Sequence, residues 1–265
     1  MSLIRGYIHL HSRHSYDGKF TLAEIKQKCL ELNLNFAVMT EHTDKMNEED
    51  VNRASKDCAV SSDANFVFIP GFELPYKNCH ILLIGAPDVD LNLLPLETIK
   101  SVKRQGAWIV LAHPHRNKFK VDAELMELLD GIEVWNQQYD GKYYPRFKSI
   151  KLFEKKIKKR QSLLAVAGLD MHRASHFGGP FVELNAELAR ESILENLKQG
   201  KYEIRSSGIS LTSRPKLTGV KRLAVIFIGG FSCAAIFIAK KINKWMHEHN
   251  ITVHWKLKEI IRRWL

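Results

Sequence analysis

The chain of 265 residues suits one α/β domain with an appendage, and a hydrophobic content of 45% without low-complexity tracts excludes a disordered polypeptide. The net charge of +11 is uneven: residues 201–265 hold 13 Lys/Arg against 3 Asp/Glu, which leaves 27 against 26 in the first 200. The near-neutral body makes no strong case for long nucleic acid, while the C-terminal fifth calls for an acidic partner surface, membrane or nucleic acid.

The opening MSLIRGYIHLH lacks the basic and apolar regions of a signal peptide, which predicts a cytoplasmic body. It runs into a strand over Tyr7–His11 that carries His9 and His11, with His14 as a rim residue and Asp17 in SYDG. Thr21 and Glu24 form a capping-box pattern before an amphipathic helix over Thr21–Leu32. A strand over Phe36–Thr40 leads to Glu41 and His42, and a helix over Glu48–Asp57 follows. A strand over Phe66–Pro70 leads to Glu73. The strand over His80–Gly85 begins on its histidine, which predicts a reversed or irregular segment. After a helix over Leu96–Gln105, the strand Trp108–Ala112 delivers His113, with His115 and Arg116 next in HPHR. A helix over Ala123–Leu129 precedes the strand Gly131–Trp135, which brings Glu133 and Asn136. A helix over Tyr144–Lys159 precedes the strand Leu163–Gly168, followed by Asp170, His172 and Arg173. A strand over Phe181–Leu184 and a helix over Glu191–Gln199 complete the body. Alternating strands and helices predict a largely parallel sheet with helices outside, and strands apolar on both faces fit a barrel with its site at the strand C-terminal ends.

Residues 206–222 read as a linker of Ser, Thr, Gly, Lys and Arg. The uncharged run 223–239 (LAVIFIGGFSCAAIFIA) has the length of a short transmembrane or membrane-embedded segment; a buried helix or a hairpin at Gly229-Gly230 is the alternative. The tail 240–265 mixes Trp, Ile and Leu with Lys and Arg, as a basic amphipathic segment on an anionic membrane surface would. Basic residues at both ends of the apolar run leave its orientation open. The four cysteines, Cys29, Cys58, Cys79 and Cys233, form no C-x-x-C pair, so a disulfide framework or zinc finger is not indicated.

His9, His11, Asp17, His42, Glu73, His80, His113, Asp170 and His172 are nine metal-ligand side chains grouped mostly at strand ends. Residues i and i+2 of a strand share a face, which predicts that His9 pairs with His11 and Asp170 with His172. Nine ligands exceed one tetrahedral ion and suffice for two or three divalent ions such as Zn, Mn or Fe. The ordered series H-x-H, S-x-D-G, T-E-H, G-x-E, a lone His, H-P and D-x-H resembles the polymerase-and-histidinol-phosphatase (PHP) family of metal-dependent phosphoesterases over about residues 5–205. The resemblance implies a distorted (β/α)7 TIM-like barrel over 1–205 with a C-terminal hydrophobic and basic helical extension. It also implies three groupings: His9, His11, Glu73 and Asp170; Glu73, His80 and His113; and Asp17, His42 and His172. Glu41 stands where the family usually has Asp, and the insertion that some nuclease-like members carry between His42 and Glu73 is missing.

The function expected is hydrolysis of a phosphomonoester or phosphodiester (nucleotide, oligonucleotide or small-molecule phosphate) by metal-activated water. His113 and His172 are candidates to protonate the leaving group, and Arg116 and Arg173 to clamp phosphate, although solvated surface arginine fits the last two equally well. Glu133 and Asn136 either face the pocket or make structural hydrogen bonds, and His115 reads as a substrate-side group. Two alternatives remain: a membrane-tethered metal-binding module without turnover, and a metallohydrolase acting on a carboxylic ester or amide.

Overall fold

The computed structural model describes residues 2–86 and 88–249. Among the described residues twelve strands run in chain order: β1 (Ser2–Leu10), β2 (Phe36–Met39), β3 (Glu41–His42), β4 (Val67–Ile69), β5 (Gly71–Tyr76), β6 (Cys79–Ile84), β7 (Trp108–Ala112), β8 (Gly131–Asn136), β9 (Leu164–Gly168), β10 (Phe181–Ala186), β11 (Glu203–Arg205) and β12 (Ser210–Thr212). The α-helices are α1 (Leu22–Glu31), α2 (Glu48–Ser61), α3 (Pro95–Arg104), α4 (Ala123–Leu128), α5 (Gln137–Asp140), α6 (Phe147–Ile157), α7 (Arg190–Gln199), α8 (Gly219–Ala224) and α9 (Gly230–Glu248), with a π turn over Val225–Gly229 joining the last two.

The strands form two sheets, ordered β12-β11-β10-β1-β2-β4 and β3-β5-β6-β7-β8-β9. Only Thr40 separates β2 from β3, and only Pro70 separates β4 from β5, so two chain segments pass from one sheet into the other. At the far edge Leu169 N–H donates to Ile8 C=O (2.8 Å), His11 N–H to Met171 C=O (3.2 Å), and Leu10 bridges Met171 in parallel. Strand β6 runs antiparallel to both β5 and β7, the reversal that a histidine at its start predicts. Its N-terminal end therefore lies beside the C-terminal end of β7, where His80 pairs with Ala112.

Local sequence explains the elements. WIVLA in β7 and LAVAG in β9 are buried throughout, as strands covered on both faces require. Thr21 and Glu24 form the capping box of α1, and Asn47 and Asp50 form a second at α2. Pro95 occupies the first turn of α3, and Gly200 closes α7 in the left-handed conformation (φ 71°). Helix α6 is shorter than the hydrophobic pattern over Tyr144–Lys159 suggests, because Pro145 holds the preceding chain extended.

The segment 206–222 is partly built into the body. Its residues Ser210–Thr212 pair with β11, and Leu217 is buried. Among the described residues the helical stretch Gly219–Met246 is long and apolar enough to cross a membrane. It also rests on the body: Val225 belongs to the main core, and α9 packs on α5. Of the tail 240–265, residues 250–265 lie outside the described residues.

Candidate metal centre

All nine predicted ligands lie on one side of the strand assembly, although they span residues 9 to 172. Glu73, on β5, is buried and faces five imidazoles. Its Oε1 lies 2.9 Å from His113 Nε2 and also meets His80 Nδ1. Its Oε2 lies 3.0 Å from His9 Nε2, 3.3 Å from His11 Nε2 and 3.5 Å from His42 Nδ1. Asp170 Oδ1 stands 3.8 Å from His9 Nε2, 3.7 Å from His11 Nε2 and 3.4 Å from His172 Nδ1. Asp17 Oδ2 joins His172 Nε2 (3.0 Å) to His42 Nε2 (3.6 Å). Four overlapping triplets place their donor atoms within 4.8 Å of one another: His9, His11 and Asp170; His9, Glu73 and His113; His42, Glu73 and His80; His11, His42 and His172.

The backbone bends to make this possible. His9 (φ 69°), His113 (φ 24°) and Asp170 (φ 51°) adopt positive φ, which costs a non-glycine residue free energy and clusters at functional sites. The β1–β2 register shifts between Ile8 and Leu10, so His9 sits on a bulge and His11 follows the strand end. Asp170 and His172 lie beyond β9. The two i, i+2 pairs thus converge through a bulge and a loop, not through the pleat that the spacing suggests.

Residues around the ligands fix their orientation. Glu133 Oε1 accepts from His9 Nδ1 (2.7 Å), and its Oε2 accepts the His113 backbone N–H (2.6 Å) and Asn136 Nδ2 (3.0 Å). With its Nδ1 proton given to Glu133, His9 presents Nε2 to the cluster. A Cβ on Gly168 would sit 1.8 Å from Glu133 Oε1, so a glycine is required there. Glu41 is buried and accepts from Ser12 N–H (3.0 Å), Ser12 Oγ (2.6 Å) and Ser15 Oγ, tying the loop that carries Asp17 to the His42 strand. Glu41 is thus hydrogen-bonded through both carboxylate oxygens.

Electrostatics follow from burial and proximity. Burial disfavours the His9 cation, but Glu133, Glu73 and Asp170 outweigh it and raise the imidazolium pKa well above its usual value. Burial dominates at His11, which falls to about 4. Glu73 is itself held well below the carboxylate range, burial being overcome by His9, His11, His113 and His80. Burial raises Glu41, against the hydrogen bonds of Ser12 and Ser15.

The donor set fits divalent cations. His11 Nε2, Asp17 Oδ1 and His113 Nδ1 are buried polar atoms with no hydrogen-bond partner, each expensive to leave so. Imidazole nitrogens crowded on one carboxylate repel as lone pairs when neutral and as cations when charged, and a shared cation removes both problems. His9, His11, His42, Glu73, His113 and Asp170 form a buried floor, while His80, His172 and Asp17 are partly exposed and mark the open side.

Arg116, Arg173 and His115 are exposed. His176 Nδ1 accepts the His172 backbone N–H (3.2 Å), a supporting contact. Sequence reasoning passed over α5: Gln138 Nε2 lies 3.4 Å from His172 Nδ1, and the Tyr139 ring lies 5.5 Å from that of His113 and 5.7 Å from that of His115. The signal available was the polar run NQQYD directly after the β8 strand. Tyr16, 54% exposed, stacks on His42 at 5.2 Å.

No protein-family model matches the chain, and a search of curated proteins finds no match. Among solved structures it is similar to an amidohydrolase from Chromobacterium violaceum with bound sulfate and no metal. Sequence identity is 14%, the alignment covers 74% of this chain and 96% of that one, and the TM-score is 0.48.

Proposed function

We propose that this chain is a metal-dependent hydrolase of the PHP type, acting on a phosphomonoester or phosphodiester. The observation that carries the reading is Glu73, a buried carboxylate shared by five imidazoles within a cluster of nine potential ligands. We read β1, β2–β3, β4–β5, β6, β7, β8 and β9 as the seven staves of a distorted barrel within a catalytic body over 1–205, with the cluster at one mouth. His9, His11, Asp17, His42, Glu73, His80, His113, Asp170 and His172 would hold two or three ions such as Zn, Mn or Fe. When bound, such ions lower the pKa of a water and neutralise developing charge on phosphoryl oxygens.

The remaining chemistry belongs to the chain. Glu133 fixes the His9 ring and the His113 backbone, so two ligands stand ready before substrate arrives. His172, on the open side, is placed to hand a proton to a leaving oxygen, and the buried His113 stands beside Glu73 as the second candidate. Arg116, exposed at the rim, would meet the phosphate as substrate enters. The apolar helix Gly219–Met246, with Lys221 and Arg222 near one end and Lys241 and Lys244 near the other, would attach the body to an anionic membrane surface.

The test is turnover. Protein loaded with Mn or Zn is expected to hydrolyse bis-p-nitrophenyl phosphate or p-nitrophenyl phosphate, and chelation or Glu73→Gln should abolish this. A metal-replete chain inactive on every phosphoester would defeat the assignment, and turnover of a carboxylic ester in its place would redirect it.

A further inference from the structure

The C-terminal helix has two distinct faces. Val225, Gly229 and Ile236 are buried against the body at intervals of four and seven residues. A Cβ on Gly229 would lie 2.6 Å from Pro145 C=O and 3.5 Å from Tyr144 Cβ, so the helix backbone is seated directly on the chain between α5 and α6. Arg222 lies over the Phe147 ring at 5.3 Å, and Lys221 Nζ donates to Ser210 C=O (3.2 Å). The opposite face presents Val220, Leu223, Phe227, Phe231, Ile238, Ile242 and Trp245, each more than half exposed and three, four or seven residues apart. A continuous exposed apolar row of this kind needs an apolar partner. Lys221, Arg222, Lys241 and Lys244 accompany it, and anionic headgroups complement them. Over Val225–Ile236 one side of the helix is covered by its own protein body and cannot face lipid. The exposed row on the other side suits a helix lying along a bilayer surface.

The same helix rests on α5, and α5 reaches the candidate metal centre from its other side. Gln138 meets His172, and the Tyr139 ring approaches His113 and His115. One four-residue helix thus separates the lipid-seeking element from the ligands. From this juxtaposition we infer that the substrate is a phosphoester carried by a membrane lipid, presented by the bilayer on which α9 lies. This rests on the phosphoester hydrolase reading above. In the reaction a water oxygen bonds to phosphorus, the P–O bond to the lipid's leaving alcohol breaks, and that alcohol oxygen takes up the proton the water releases. Tethering concentrates headgroups at the site without any additional contact, which favours lipid over the same ester free in solution.

The test uses the full metal-loaded chain with phosphatidylcholine vesicles carrying a minor fraction of phosphatidic acid or phosphatidylglycerol. Soluble glycerol phosphate and bis-p-nitrophenyl phosphate serve as comparators. The vesicle lipid should be cleaved at least about tenfold faster than the soluble glycerol ester at equal phosphoester concentration. The F227S/F231S variant, altered only at exposed positions, should lose that preference and keep its rate on bis-p-nitrophenyl phosphate. Gly229→Leu, which forces the helix off Pro145, should do the same. Cleavage of bis-p-nitrophenyl phosphate without any lipid cleavage, or a lipid preference that survives F227S/F231S, would overturn the inference and leave the hydrolase standing. Cleavage of no phosphoester would bring down the hydrolase reading together with it.

Discussion

Glu133 illustrates how a single residue can matter without being a ligand. It is buried and touches His9, the His113 backbone and Asn136 at once. Removing one partner from such a network leaves the others misoriented as well as unsatisfied. Glu133→Gln preserves shape but weakens the acceptor facing His9 Nδ1. Metal affinity measured by calorimetry should fall about 10- to 100-fold, the usual effect of losing a residue that supports a ligand. Unchanged affinity would mean that His9 is positioned by its strained backbone alone. The nine side chains that the structure brings together were legible in the sequence because metal-binding chemistry favours His and carboxylate, here in an ordered series. Glu133, Glu41 and Gln138 were harder to see, since a residue that only orients another carries no spacing rule. The positive φ of His9, His113 and Asp170 is equally invisible in sequence, because none of them is glycine or asparagine.

Among the elements, α5 and the chain leading to α6 are held by one buried ion pair. Arg146 Nε donates to Asp140 Oδ1 (2.8 Å), and Asn136 N–H donates to Asp140 Oδ2 (3.0 Å). Burial nevertheless outweighs Arg146 and lifts the Asp140 pKa to about 6. A carboxyl raised above its unfolded value contributes most stability below about pH 4, and that contribution disappears as pH climbs through about 6. Relative to Asp140→Asn, the wild type should therefore lose on the order of 2 to 3 kcal/mol between those limits. Urea unfolding of both proteins at pH 4.5 and pH 7 with matched metal occupancy measures the difference; a gap independent of pH would show that Arg146 keeps Asp140 ionised throughout. Most strands and helices followed from apolar period and capping residues. The exceptions have physical causes. The two-residue β3 is too short to show a period, and β12 is an exposed edge strand built from the polar residues that made 206–222 resemble a linker.

For the whole molecule, the near-neutral body carries the candidate metal centre and the C-terminal fifth carries nearly all the excess positive charge. Because lysine and arginine flank an exposed apolar row, vesicle binding should combine a salt-sensitive and a salt-resistant part. Flotation with anionic vesicles should show tight binding at low salt, weaker but persistent binding at high salt, and loss of the persistent part in F227S/F231S. Complete release by salt alone would mean that the apolar row stays out of the bilayer. The apolar run itself was plain in the sequence. Its docking on α5 was not, because it depends on Tyr144 and Pro145 meeting Gly229 from far away in the chain.

We propose that nine side chains gathered from residues 9 to 172 form one multinuclear site. Elemental analysis of the purified chain after exposure to Zn, Mn or Fe and removal of free metal tests it most directly, alongside Glu73→Gln. Two or three bound ions per wild-type chain are expected, with a sharp loss in the variant, because Glu73 is shared among the clustered imidazoles. A folded wild-type chain that retains no ion, or a Glu73→Gln protein that retains the full complement, would contradict it.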